Sequence, residues 1–418
     1  MIQNVKGTKD LLPEAIAKWQ YIQSTLQKIS EQYNYEEIRT PIFEKTELFS
    51  RSIGEVTDIV NKEMYSFLDK GEESISLRPE LTASIARAVM QHSLLRQNPI
   101  LRFWYFGPFF RYEQPQKGRQ RQFHQYGAEC IGSRYPESDA EIIALAVNIF
   151  NSLGIKDFKL AINSLGNTES RANYRETLIE FLKENENKLS KESQIRLQTN
   201  PLRVLDSKAE ADIEILNQAP NILNFLDTES RNHFEELLAI LDYQGIKYEI
   251  SSKLVRGLDY YSHTVFEFQS HALGAQNAMG GGGRYDKLFL ELGGEETPAV
   301  GLALGIERII LIMEEKGLFP NLEKKLDLYI VSLDHSNQKY LISIAEKLRQ
   351  NGMAVATDLL RRSLKSQMRE ANKMKANYLI VIGDDEIKTN LLTIKDMRNG
   401  EQTQYSLNSI EEFFKKQQ

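Results

Sequence analysis

The run Leu254–Phe268, LVRGLDYYSHTVFEF, limits what this chain can fold into more than any other stretch. Val265, Phe266 and Phe268 are the branched and aromatic residues that suit a strand. Set into the same run are Arg256, Gly257, Asp259, Tyr260 and Tyr261, which make poor core because a buried polar group needs a partner. The expectation is a strand whose polar side chains either face water or line a pocket for an anionic, planar ligand.

Composition matters here through what it excludes. A chain of 418 residues can form two or three domains, each burying its own core. Charged residues at 26% and hydrophobic ones at 41% describe an ordinary soluble globular protein. No apolar run is long enough for a bilayer and no signal peptide opens the chain, so a cytoplasmic protein without membrane partners is expected. Cys130 is the only cysteine, which excludes an intrachain disulfide and a multi-cysteine zinc site. A net charge of −6 argues against a generally basic nucleic-acid coat and leaves room for local basic patches.

Pro13 and the helical spacing of Ile22, Leu26, Ile29 and Tyr33 predict an early helix, followed by an extended stretch, Glu37–Ile42, that contains Pro41. Ser74–Leu77 reads as a strand, Leu81–Gln91 as a helix, Leu101–Tyr112 and Phe123–Ile131 as two strands, and Asp139–Leu153 as an amphipathic helix. Residues 167–228 are polar and lack a strand pattern, which predicts a helical insertion in a β-rich domain. Gly280–Gly283 then precedes Arg284, and Val300–Glu314 is expected to form an apolar helix entered through Gly301 and Gly305. Leu318–Lys325, with Pro320 and a charged tail, reads as a linker. Beyond it, strands at Leu328–Ser332, Tyr378–Ile382 and Leu391–Asp396 alternate with helices at Gln338–Asn351 and Ser363–Met374. That pattern predicts a small α/β domain with a mostly parallel sheet. The expected domains are therefore 1–325 and 326–418.

The loop between the two aromatic strands carries Arg111, Lys117, Arg119 and Arg121. Guanidiniums grip phosphate oxygens in fork geometry and stay charged when desolvated. Pro115 and Gly118 keep the loop from becoming helix. Most basic loops are solvated hairpin tips, but Arg111 directly follows an aromatic strand end, where an unpaired charge is costly. Arg308, in GLALGIERI, opens an apolar helix, and Gly301 and Gly305 suggest close approach of backbone to a ligand such as adenosine. Lys365, Arg369 and Lys373 follow Arg361 and Arg362 at i, i+4, i+8, so their cations share one helical face, either solvated or phosphate-binding.

Pro41 in its extended segment, Arg111 in a strand–loop–strand and Arg308 in GLALGIERI resemble, in this order, the three motifs of class II aminoacyl-tRNA synthetases. Within that class, LVRGLDYY together with GGGGRYD (Gly280–Asp286) is similar to the histidine-specific pair of the histidyl-tRNA synthetase family. VKGTKDLLP (Val5–Pro13), SLRPELTA (Ser76–Ala83) and RQRQFHQ (Arg119–Gln125) agree, and the resemblance spans essentially the full length. It implies an α/β protein: an α+β catalytic domain on an antiparallel sheet with a helical insertion, then a C-terminal α/β anticodon-binding domain. It also implies activation of L-histidine with ATP, Mg²⁺ on the phosphates, no zinc, and transfer to tRNA(His) by a homodimer whose interface includes the segment around Pro41.

The resemblance also implies roles. Arg111 and Arg256 are the expected catalytic cations, meeting the ATP α-phosphate from two sides as the histidine carboxylate attacks. Arg119 is expected on the triphosphate, and Arg308 on its γ end while stacked on adenine. Glu80, Thr82 and Gln125 are expected at the α-amino group, Glu129 and Tyr261 at the two imidazole nitrogens, and Tyr260 and Tyr285 along the pocket wall. Gln114, Gln116, Arg361, Arg362, Lys365 and Arg369 are expected to contact tRNA.

Two departures stand out. Gln114 replaces an arginine that in many members helps read the acceptor end, and Leu81 replaces a common glycine, so its side chain must point away from the amino acid or narrow the pocket. A regulatory subunit of the histidine pathway shares the catalytic fold without charging tRNA. The presence of Asp327–Gln418 and of Arg111, Arg256 and Arg308 speaks against it. RGLDYY with Glu129 speaks against a prolyl, threonyl or glycyl enzyme.

Overall fold

The computed structural model describes all residues except 55, 56, 58, 116, 117, 275, 276, 324, 325 and 416–418, and the side chains of 411 and 415. Its contacts divide the chain into Met1–Pro320 and Asn321–Gln418.

In the first unit, β1 (Glu36–Glu37) is followed by β2 (Phe43–Lys45), β3 (Ser66–Leu68) and β4 (Ser74–Leu77), then β5 (Leu101–Phe110), β6 (Gln122–Ile131) and β7 (Lys159–Ser164). After the insertion come β8 (Glu249–Ile250), β9 (Ser262–Gln269), β10 (Ala278–Arg284) and β11 (Ala299–Gly305). β2, β4 and β3 form a small sheet; the others form an eight-stranded sheet in the order β1-β5-β6-β11-β10-β9-β7-β8. Only the edge pairs, β1 with β5 and β7 with β8, are parallel.

Alternation along these strands sorts residues onto two faces. Tyr126, Ala128 and Cys130 of β6, Val300, Leu302 and Leu304 of β11, and Phe266 and Phe268 of β9 join one core. Helices Pro13–Gln32, Pro136–Ser152, Thr228–Tyr243 and Ile306–Glu315 cover that face with Trp19, Ile22, Phe150, Leu237 and Ile309. Each such large apolar side chain contributes roughly 1.5–3 kcal/mol by leaving water. The intervening residues, Gln125, Gly127 and Glu129 on β6 and Val265, Glu267 and Gln269 on β9, face the other way.

Residues 167–228 form a run of helices, led by Thr168–Glu184 and Lys191–Thr199. Two sequence expectations are corrected in this unit. Leu254–Tyr261 is a loop, and the strand begins only at Ser262. Adjacent residues of a strand point to opposite faces, whereas Tyr260 and Tyr261 lie with ring centroids 4.7 Å apart, which a loop permits. Val300–Glu314 is not one helix: β11 runs to Gly305, paired with β6 and β10, and the helix starts at Ile306. The alternation of Val300, Leu302 and Leu304 is a period of two, which outweighs the apolar character of the run.

The second unit orders β12 (Leu328–Ser332), β13 (Val355–Thr357), β14 (Tyr378–Ile382), β15 (Leu391–Asp396) and β16 (Gln402–Ser406) as β13-β12-β14-β15-β16. The expected mostly parallel sheet is mixed: β13, β12 and β14 are parallel, while β15 and β16 join antiparallel. The connections from β14 to β15 and from β15 to β16 are shorter than the dozen or so residues a parallel crossover needs.

Candidate active site

The polar face of the large sheet floors a cleft of about 1440 Å³. Glu80, Thr82, Gln125, Glu129, Tyr260, Tyr261 and Tyr285 line it, and so do Arg111, Arg119, Arg256 and Arg308. Residues spread over more than two hundred positions of sequence thus meet in one place.

Glu129 is 1% exposed. Its Oε1 accepts from Thr82 Oγ1 at 2.8 Å and its Oε2 from the Tyr285 hydroxyl at 2.5 Å. Burial, with the neighbouring Glu80 adding to it, pushes this carboxyl up to about 8, against the hydrogen bonds that favour ionisation. Space for it comes from β11: a Cβ on Gly301 would lie 1.6 Å from Glu129 Oε2. Likewise a Cβ on Gly127 would lie 2.1 Å from the Tyr105 ring, so this glycine lets Tyr105 lie across β6 beneath the cleft.

Glu80 closes the start of helix Thr82–Gln91, its carboxylate accepting from the Thr82 and Ala83 amides at 2.7 and 3.0 Å, where the helix end carries partial positive charge. Burial raises its pKa. Leu81 is buried in the apolar cluster and does not line the cleft, so it does not narrow the amino-acid pocket.

Four arginines line the same cleft. Arg256 donates from Nη1 to Glu267 Oε2 at 2.8 Å, and its Nε is buried with no hydrogen bond. Burial would lower its pKa, but Tyr261 and Glu267 outweigh that and raise it. Arg111 follows β5, donates from Nε to the Pro79 carbonyl at 3.0 Å, and stands over the Phe123 ring at 5.3 Å. Arg119 pairs with Glu113 at 3.2 Å. Arg308, in the first turn of its helix, donates to the Ala278 carbonyl. Its pKa is lowered, by burial first and then by the positive charges of Arg119 and Arg111. Cations set this close, with burial working against them, are stabilised by a polyanion between them.

A fifth arginine of the neighbourhood is structural. Arg284, 1% exposed, pairs with Asp139 and with Asp286 at 3.2 Å, and donates to the Ser133 carbonyl at 2.8 Å. It lies among carboxylates and carbonyls that already complete its donors.

Gln114 is exposed at the loop tip, and Gln116, like Lys117, lies outside the described residues. Arg121 of the same loop stacks on Tyr112 at 3.8 Å. In the second unit, Arg361, Lys365, Arg369 and Lys373 are exposed, whereas Arg362 is engaged with Asp358 at 2.5 Å and Glu370 at 3.3 Å. Leu364 is exposed as well, and the buried polar residue of that helix is Gln367, which accepts from the Ser332 amide at 3.1 Å. Sequence reasoning missed Tyr105, Glu267 and Gln269 in the cleft wall. The two β9 residues had a legible signal, a polar side chain alternating with Phe266 and Phe268.

An antiparallel sheet whose one cleft gathers buried carboxyls and converging arginines is the fold and site of a class II aminoacyl-tRNA synthetase. The comparisons with known proteins agree: the family profile described as Histidyl-tRNA synthetase matches residues 7–309, and one described as Anticodon binding domain matches 327–417. The chain is 47% identical to the Histidine--tRNA ligase of Halothermothrix orenii over 98% of each. It is equally identical to that of Cyanothece sp. over 96% of this chain and 93% of that protein. The apo histidyl-tRNA synthetase structure of S. aureus superposes with a TM-score of 0.84 at 39% identity, covering 99% of this chain and 100% of that one. The chain belongs to the histidyl-tRNA synthetase family.

Proposed function

We infer that the cleft carries out this family's reaction with the residues that converge in it. The chain is an ATP-dependent histidine–tRNA ligase. It joins histidine and ATP into histidyl-adenylate with release of pyrophosphate, then passes the histidyl group to the 3′-hydroxyl of the terminal adenosine of tRNA(His), releasing AMP.

Glu129 carries the argument. A buried carboxyl poised near neutral pH suits imidazole, the side chain whose own proton exchanges in that range. With Tyr261 at the second ring nitrogen, a ligand lacking either group leaves a buried partner unsatisfied. Glu80, Thr82 and Gln125 hold the α-amino group; Tyr260 and Tyr285 enclose the ring. The substrate carboxylate is already ionised, so attack on the α-phosphorus needs no base, and Arg111 and Arg256 offset the charge that builds there. Arg119 and Arg308 take the remaining phosphates. Mg²⁺ would arrive on those phosphates, and Glu113 and Glu267 are carboxylates that pair with Arg119 and Arg256 there.

We further propose a catalytic domain of 1–325 with its insertion at about 167–228, an anticodon-binding domain of 326–418, and a homodimer. Gln114 and Gln116 meet the acceptor end of the tRNA, and Arg361, Arg362, Lys365 and Arg369 its anticodon stem-loop. No helix of the described residues is long and apolar enough to cross a membrane. ATP–pyrophosphate exchange with each amino acid tests the reading. Histidine alone should support it, and Arg256→Ala should cut kcat about a hundredfold or more while histidine KM moves less than about threefold. Exchange with another amino acid, or equal losses in both parameters, would contradict it.

A further inference from the structure

The loop that carries Arg256, Tyr260 and Tyr261 is tied down by side chains of the helical insertion. Arg171, near the start of helix Thr168–Glu184, directs Nη1 at two carbonyls, Asp259 O at 3.1 Å and Tyr261 O at 3.0 Å. Asn200, just beyond helix Lys191–Thr199, donates from Nδ2 to Asp259 Oδ1 at 3.0 Å. The other Asp259 oxygen lies against Gly54, where a Cβ would come within 2.8 Å, and the Asp259 amide reaches the Ile53 carbonyl at 3.3 Å. Asp259 therefore turns away from the arginines and joins three separate segments.

Two carbonyls, two residues apart, that accept from one cationic nitrogen fix the peptide before Tyr260 and the peptide after Tyr261. Those peptides set where the Tyr260 and Tyr261 rings project. Hydrogen bonds from a charged donor are about twice as strong as neutral ones; further anchors of this loop are the Asn163 Nδ2 bond to the Leu254 carbonyl at 3.1 Å and the burial of Val255, Tyr260 and Tyr261. Arg171 itself does not line the cleft.

We propose that Arg171 is a positioning residue for the amino-acid pocket, with Asn200 assisting through Asp259. The inference rests on the reading of Tyr260 and Tyr261 as histidine contacts. Because Arg111, Arg119 and Arg308 stand on other elements, and Arg256 is held separately by Glu267 of β9, loosening the loop at Tyr260 and Tyr261 affects histidine and spares the triphosphate end.

The test uses Arg171→Ala, Arg171→Lys and Asn200→Ala in the full chain, measured by ATP–pyrophosphate exchange and thermal melting. Arg171→Ala should raise histidine KM about tenfold or more, leave ATP KM within about twofold, and weaken discrimination against thienylalanine, which lacks the ring nitrogens. Arg171→Lys should recover part of this, since an ammonium still donates to a carbonyl. Asn200→Ala should shift histidine KM the same way by less, and with Arg171→Lys it decides the matter if Arg171→Ala does not fold. An unchanged histidine KM in the folded variants overturns the inference, as does a parallel rise in both KM values that tracks lost melting temperature. Absence of histidine-dependent exchange in the native chain would instead bring down the pocket reading and this inference with it.

Discussion

Glu129 and Arg284 show how surroundings assign opposite duties to buried charges. Arg284 meets Asp139 and Asp286, and Asp139 is held well below the usual carboxylate range by Arg284 and His233 in spite of its burial. Glu129 has only hydroxyls and another carboxyl nearby, so its pKa rises to about 8. Since that lies above the ordinary value of 4.5, the native state binds more protons than the unfolded chain between the two. Stability from this group is therefore lost as pH rises from about 4.5 to about 8. Glu129→Gln cannot ionise. Its melting temperature relative to the native chain should climb steadily between pH 5 and pH 8, while histidine-dependent exchange falls about a hundredfold or more. A melting difference that stays flat over that interval would show that Glu129 is already ionised in the fold.

At the scale of the element, the site depends on strands with missing side chains. β11 contributes Gly301 opposite Glu129, and β10 contributes Gly281, whose Cβ would stand 3.0 Å from Arg256 Nη1 and 2.4 Å from the Phe266 carbonyl. Gly301→Ala should displace the Glu129 carboxylate from Thr82 and Tyr285. The expected result is loss of histidine-dependent exchange by about a hundredfold, with destabilisation of roughly 1–3 kcal/mol from overpacking. Denaturant melts alongside the exchange assay check this; a fully active variant would mean that the strand yields. The same strands show where reading by residue type stops. GLALG is apolar enough for a helix, and only its period of two, together with pairing on both sides, makes it a strand. Leu254–Tyr261 has strand-like residues, but the bonds to its Asp259 and Tyr261 carbonyls come from Arg171 of the insertion, some ninety positions away. No local pattern reports on a partner at that distance.

On the scale of the whole molecule, each unit has its own core. In the second, Leu328, Ile330, Ile380 and Leu392 pack with Leu341, Ile344 and Leu348 on one face, while Val331, Leu379 and Ala371 pack on the other. Residues 1–320 expressed alone should therefore fold and retain histidine-dependent exchange within about threefold, yet charge tRNA about a hundredfold less well once the second unit's cations are gone. Loss of both activities together would show that the first unit cannot stand alone. The amino-acid sequence by itself picked out residues that the fold brings into one cleft, because guanidiniums, paired glycines and a strand carboxyl have uses that few other contexts satisfy. The run of helices at 167–228 and the change to alternating strands and helices beyond Pro320 were legible too, since those follow from local periodicity. Only the tertiary structure decided the poise of Glu129, the structural duty of Arg284, the engagement of Arg362 with Asp358, and the clamp of Arg171 on the tyrosine loop. Each of these depends on the distance, burial and charge of a partner that sequence separation leaves open.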